Sequence, residues 1–68
     1  MSLIKIKSVS EQIGLARASI YLRLDKSSKY FDPTFPKAVK IGQRSVAWVQ
    51  EEIDSWVESR ISERNQQV

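Results

Sequence analysis

Gly14 separates two short stretches whose apolar residues recur at helical spacing. Val9 and Ile13 precede it one turn apart, and Ile20 and Leu24 follow it at the same interval. Gly14 is one of only two glycines in the chain. It closes a helix at no steric cost, because positive φ is open to it. Ser8, with Glu11 three residues on, predicts a capping box that opens the first helix. Leu15 plugs the turn. The second helix is expected from Ala16 or Arg17 to about Lys26. Ala16, Ile20 and Leu24 form its inner face, while Arg17, Ala18, Tyr21 and Asp25 point away and Ser19 and Leu22 lie on the flanks. Two helices hinged in this way make a helix-turn-helix.

The remainder supplies a wing and a closing helix. Ser27-Ser28-Lys29 breaks the second helix. Residues 30–36 form a loop in which Pro33 and Pro36 push Asp32 and Phe35 out of the α region. Tyr30, Phe31 and Phe35 are expected to fold that loop onto the core. Residues 38–41 and 45–48 read as two strands around Gly42-Gln43-Arg44, with Val39 and Ile41 on one face and Val46 and Trp48 likewise. The longest helix is expected over residues 50–64, with Ile53, Trp56, Val57 and Ile61 as its apolar stripe. Glu51, Glu52, Asp54 and Glu58 crowd its N-terminal half, where the helix dipole favours them. Leu3 to Ile6 suggests an edge strand or extended lead-in. The fold predicted is mainly α with a small β-hairpin wing, a winged helix-turn-helix. It occupies one domain over residues 1–64, with residues 65–68 as a frayed tail.

Charge separates along the chain. Residues 1–48 carry nine Lys/Arg against three acids, a net of +6, whereas residues 49–68 carry a net of −3. A basic body with an acidic last helix suits a surface that meets phosphate on one side only. With neither cysteine nor histidine, disulfides, thiolate or imidazole metal sites and His-based catalysis are excluded. The carboxylates of residues 51–54 sit on an open helix start with no apolar pocket to separate their pKa values, so no enzyme is expected. No cofactor, metal or membrane partner is expected, and the absence of a long apolar stretch predicts a cytoplasmic protein.

The pieces in their order resemble a known family. Val9, Gly14-Leu15 and Ser19-Ile20-Tyr21 lead into Phe35-Pro36-Lys37, Val39-Lys40-Ile41-Gly42 and Arg44-Ser45-Val46-Ala47-Trp48. Glu52-Ile53, Trp56-Val57 and Arg60 follow. This pattern, which spans nearly the whole chain, resembles the AlpA family of prophage-associated regulators, within the excisionase/MerR-like winged helix-turn-helix group. The resemblance implies a transcriptional regulator of prophage or mobile-element genes that binds double-stranded DNA sequence-specifically. Two other roles share the fold: an excisionase-like factor that bends attachment-site DNA, and a module that blocks another regulator by protein contact. The chain departs from the family pattern at Ala16, where a capping serine is usual, at Arg23, where the general helix-turn-helix pattern has an apolar residue, and in a longer connection from Lys26 to Thr34.

The predicted interface comprises Arg17, Ala18, Ser19, Tyr21, Lys37, Lys40 and Arg44. Arg17 opens the second helix, where arginine reads guanine or else contacts phosphate alone. Ala18 admits a thymine methyl or is simply a good helix former. Ser19 and Tyr21 carry hydroxyls suited to phosphate oxygens. For Tyr21 the resemblance implies a DNA-facing position, and support of the helix pair is the competing role. Lys37, Lys40 and Arg44 form a basic wing that follows phosphates, with Arg44 at the minor groove, or a solvated loop. Trp48 and Trp56 lie on apolar stripes, which favours core packing over base stacking. One copy reads few base pairs, so a homodimer or cooperative array is expected, with an integrase or another regulator as a further partner.

Overall fold

The computed structural model describes residues 2–66. Strand β1 (Leu3–Ile4) leads into helix α1 (Ile6–Ile13), a turn and helix α2 (Arg17–Leu24). A long loop then reaches strands β2 (Val39–Lys40) and β3 (Val46–Val49), and helix α3 (Gln50–Gln66) closes the fold. The three strands form one antiparallel sheet in the order β1-β3-β2, with Leu3 opposite Val49 and Val39 opposite Ala47. The arrangement is a winged helix-turn-helix, with the hairpin β2–β3 as the wing.

Val9 of α1, Ile20 of α2, Phe35 of the loop, Trp48 of β3 and Ile53 of α3 meet in the core. Every element except the edge strands thus contributes a fully buried side chain. Ile4, Ile6, Ile13, Leu15, Leu24, Ala38, Val46 and Trp56 pack around this cluster. Trp48 also donates its indole N–H to the Pro36 carbonyl at 3.1 Å, which ties the loop to the central strand.

Helix α1 begins earlier than the capping-box pattern predicts. Its N-cap is Lys5, whose carbonyl accepts the Val9 N–H at 3.1 Å, and Ser8 lies inside the helix. Ile6, Val9 and Ile13 form a continuous i, i+3, i+7 stripe against the core. Ile6 is half-buried there, and this apolar contact outweighs the ~1 kcal/mol of a Ser8 cap. The far end follows expectation: Gly14 is the C-cap at φ 74°. Ser10 holds the turn twice, accepting the Gly14 N–H on its carbonyl and donating its hydroxyl to the Leu15 carbonyl at 2.6 Å.

Helix α2 begins at Arg17 with Ala16 as an exposed N-cap that makes no side-chain hydrogen bond. Ala16 is therefore not on the inner face. Its extended backbone, φ −64° and ψ 152°, is the geometry a capping serine needs. Ala16→Ser is expected to stabilise the domain by about 1 kcal/mol, measured as a rise in the denaturation midpoint.

Two further expectations are corrected. Of the loop aromatics only Phe35 is buried, while Tyr30 and Phe31 are exposed. Short polar turns shape the loop instead: Asp25 accepts from the Ser27 N–H and hydroxyl, and Ser28 Oγ from the Tyr30 N–H. Val39 on the edge strand β2 and Ile41 just after it are both exposed. Ile61 is exposed because α3 outruns the core beyond Val57, and Arg60 folds over the Trp56 ring at 5.1 Å instead. The helix continues through residues 65 and 66, whereas residues 67 and 68 of the expected tail lie outside the described residues.

Candidate nucleic-acid interface

Helix α2 buries Ile20 and turns Leu24 inward, which leaves the opposite side open. Ala18 and Leu22, one turn apart, cover that side, while Arg17 and Tyr21, also one turn apart, lie between it and the inner face; all four residues are exposed. Tyr21 is 48% exposed. Ser19 lies off this face: it is half-buried and lines a hollow of about 340 Å³ with Leu15, Leu22, Arg23 and Tyr30. Leu22 belongs to the open face rather than the flank. Its i, i+4 relation to Ala18 was the available signal, and its apolar character concealed it.

In the wing, Lys40 lies on β2 and Arg44 in the hairpin turn, both exposed. The Ile41 N–H donates to the Ser45 carbonyl at 2.9 Å and closes that turn around Gly42-Gln43-Arg44. Lys37, at the root of the wing, lines a hollow of about 450 Å³ with Leu24 and Lys26 at the end of α2. The fold thus brings Lys37 beside the second helix. Ion pairs among the described residues engage Arg23 and Arg60, while Arg17, Lys37, Lys40 and Arg44 have no acidic partner.

The most densely bonded polar group is Asp32, in the loop. Its Oδ1 accepts from the Thr34 N–H at 2.9 Å and the Thr34 hydroxyl at 2.6 Å. Its Oδ2 faces Arg23 Nη1 at 3.5 Å and pairs with Arg60 Nη2, which also donates to Thr34 Oγ1. Burial works to raise the Asp32 pKa, but the Thr34 hydrogen bonds and the Arg60 charge outweigh it and hold it below the ordinary value. Arg23 and Arg60 flank the Trp56 ring at 6.0 and 5.1 Å, and Phe35 meets the ring edge-on at 4.9 Å. Arg23 therefore occupies its unusual position as a partner of Asp32 and Trp56. Neither contact was visible from sequence, because Asp32 and Arg60 lie 28 residues apart.

A second polar group joins α1 to α3. Gln12 donates to Asp54 at 2.8 Å, and Gln50 donates to both Gln12 and Asp54. Among the described residues, no group of three or more acidic side chains is placed to hold a metal ion. No helix of the described residues is long and apolar enough to cross a membrane.

Residues 2–61 match the family model described as Prophage CP4-57 regulatory protein (AlpA). The chain is 40% identical over 58 residues to the DNA-binding transcriptional activator AlpA of Escherichia coli strain K12, covering 85% of this chain and 83% of that protein. It is 31% identical over 61 residues to the uncharacterized protein ORF88 of Enterobacteria phage P4, covering 90% of this chain and 62% of that protein. No solved structure matches. With a winged helix-turn-helix and a family match over nearly its whole length, the chain belongs to the AlpA family of prophage regulatory proteins.

Proposed function

We propose that this chain is a sequence-specific, double-stranded DNA-binding regulator of prophage genes. The open face of α2 enters the major groove and the wing tracks the phosphate backbone. The observation that carries this reading is the exposure of Arg17, Ala18, Tyr21 and Leu22 around the buried Ile20 on the second helix of a helix-turn-helix. The DNA-binding activator AlpA, so similar over most of its length, supports it.

Arg17 reads a base edge, and Ala18 meets a thymine methyl, with Leu22 adding apolar surface beside it. Tyr21 contacts phosphate from the same face, and Ser19 does so from its flank. Lys37, Lys40 and Arg44 supply the sequence-independent attraction, and Arg44 is placed at the hairpin tip to reach the minor groove. The site uses no cofactor and acts on DNA in the cytoplasm, with residues 1–64 as the functional domain. A single copy reads few base pairs, so we include a homodimer or cooperative array on DNA, with an integrase or another regulator as a further partner. The exposed Ile61 on α3 is an apolar contact surface for such a neighbour.

Arg44→Ala tests the wing. It should weaken binding to specific and random duplexes alike and flatten the slope of log K against log salt by roughly 0.9 for the lost contact. A titration with an unaltered slope would remove Arg44 from the interface.

A further inference from the structure

We propose that Asp32 is a positioning residue for DNA reading, fixing the C-terminal end of α2 against α3 and thereby the pose of the face that carries Arg17, Ala18 and Tyr21. This rests on the DNA-binding reading above. Helix α2 has eight residues, too few to persist without tertiary support. Its first turn has no side-chain cap, so its placement depends on the packing of Ile20 and Leu24 and on how its last turn is held.

That last turn is held from the loop. The terminal carbonyls of a helix need partners outside it. The Asp32 N–H donates to the Arg23 carbonyl at 2.9 Å, and the Asp25 N–H to that of Tyr21. The Asp32 carboxylate then faces the Arg23 guanidinium of the same turn while pairing with Arg60 of α3. Its side chain is only 10% exposed, and Thr34 fixes its other oxygen. One carboxylate thus neutralises two arginines that converge beside Trp56, one on the reading helix and one on the closing helix.

Removing the negative charge leaves Arg23 without an anion and Arg60 with Glu63 alone, so the end of α2 loses its charge link to α3. Base-edge hydrogen bonds depend steeply on distance and angle. Attraction to phosphates is long-ranged and tolerates a shifted helix. The loss should therefore fall on specific binding.

Asp32→Asn keeps the backbone donor, the size and an oxygen for Thr34, and removes the charge. The probe is the duplex that the wild type binds most tightly among tiles of the DNA upstream of its own gene, beside a scrambled version of it. At a temperature where circular dichroism shows the variant folded, affinity for the tight duplex should fall about tenfold, comparable to one mismatched base pair. Affinity for the scrambled duplex should stay within about twofold, because phosphate contacts carry no sequence information. Arg60→Gln, which removes the α3 end of that link, should reproduce the same split and carries the test if Asp32→Asn does not fold. Equal losses on both duplexes would make Asp32 merely structural, and unchanged affinities would remove it from the account; either overturns the inference. A wild type that binds neither duplex would overturn the DNA reading itself.

Discussion

Trp48→Ala is expected to leave the domain largely unfolded. Trp48 is fully buried on the central strand of the sheet, in contact with a cluster that draws on all three helices and the loop. Truncating a buried aromatic costs ~3–5 kcal/mol through lost transfer energy and the cavity left behind. The lost indole N–H also leaves the Pro36 carbonyl without that donor. A domain of this size has a total stability of roughly 3–10 kcal/mol, so the loss consumes much or all of it. Trp56 makes the contrast. It is only half-buried, and its indole N–H is enclosed without a partner, so Trp56→Phe removes a donor that gains nothing from burial and should cost far less. Urea denaturation followed by tryptophan fluorescence and circular dichroism would rank the two. A Trp48→Ala variant that melts close to wild type would contradict the placement of the core.

Arg17→Ala should separate reading from holding. Arg17 opens α2 and is exposed there, so the variant should fold and melt like wild type. Loss of a bidentate contact to guanine costs about 1–3 kcal/mol on the tight duplex. On a scrambled duplex the loss should be small, because one phosphate contact is among several. Fluorescence anisotropy on both duplexes measures the two losses with one preparation. Equal losses would make Arg17 a phosphate clamp and leave Ala18, Tyr21 and Leu22 as the readers.

Much of the fold was legible because periodicity and one glycine carry it. The spacing of Val9 and Ile13, of Ile20 and Leu24, and of Ile53 and Trp56 identified the inner faces, and Gly14 marked the turn with a φ that other residues rarely adopt. The start of α1 was misjudged because a local capping signal at Ser8 competed with the burial of Ile6, and burial is worth more. The loop was misjudged because three aromatics suggest a hydrophobic clasp, whereas Asp25, Ser28 and Asp32 shape it through hydrogen bonds two residues ahead. That most of the proposed interface residues lie at the surface followed from pattern and charge, whereas Ser19 is half-buried and Leu22 exposed. The Asp32 brace was beyond reach: Arg23 stood out as a charge at an ordinarily apolar position, but nothing local to it points to Asp32 or to Arg60 of the last helix.

Binding of the wild-type chain to duplexes tiling the DNA upstream of its own gene and the nearest attachment site tests the central claim most directly. The proposed function predicts one or a few tiles bound far more tightly than scrambled controls, with all affinities falling linearly in log K against log salt. A tight tile upstream of the gene supports regulation of transcription, and one at the attachment site supports an architectural role in excision. Absence of binding to every tile and control, at low salt and micromolar protein, would contradict a DNA-binding role for this chain.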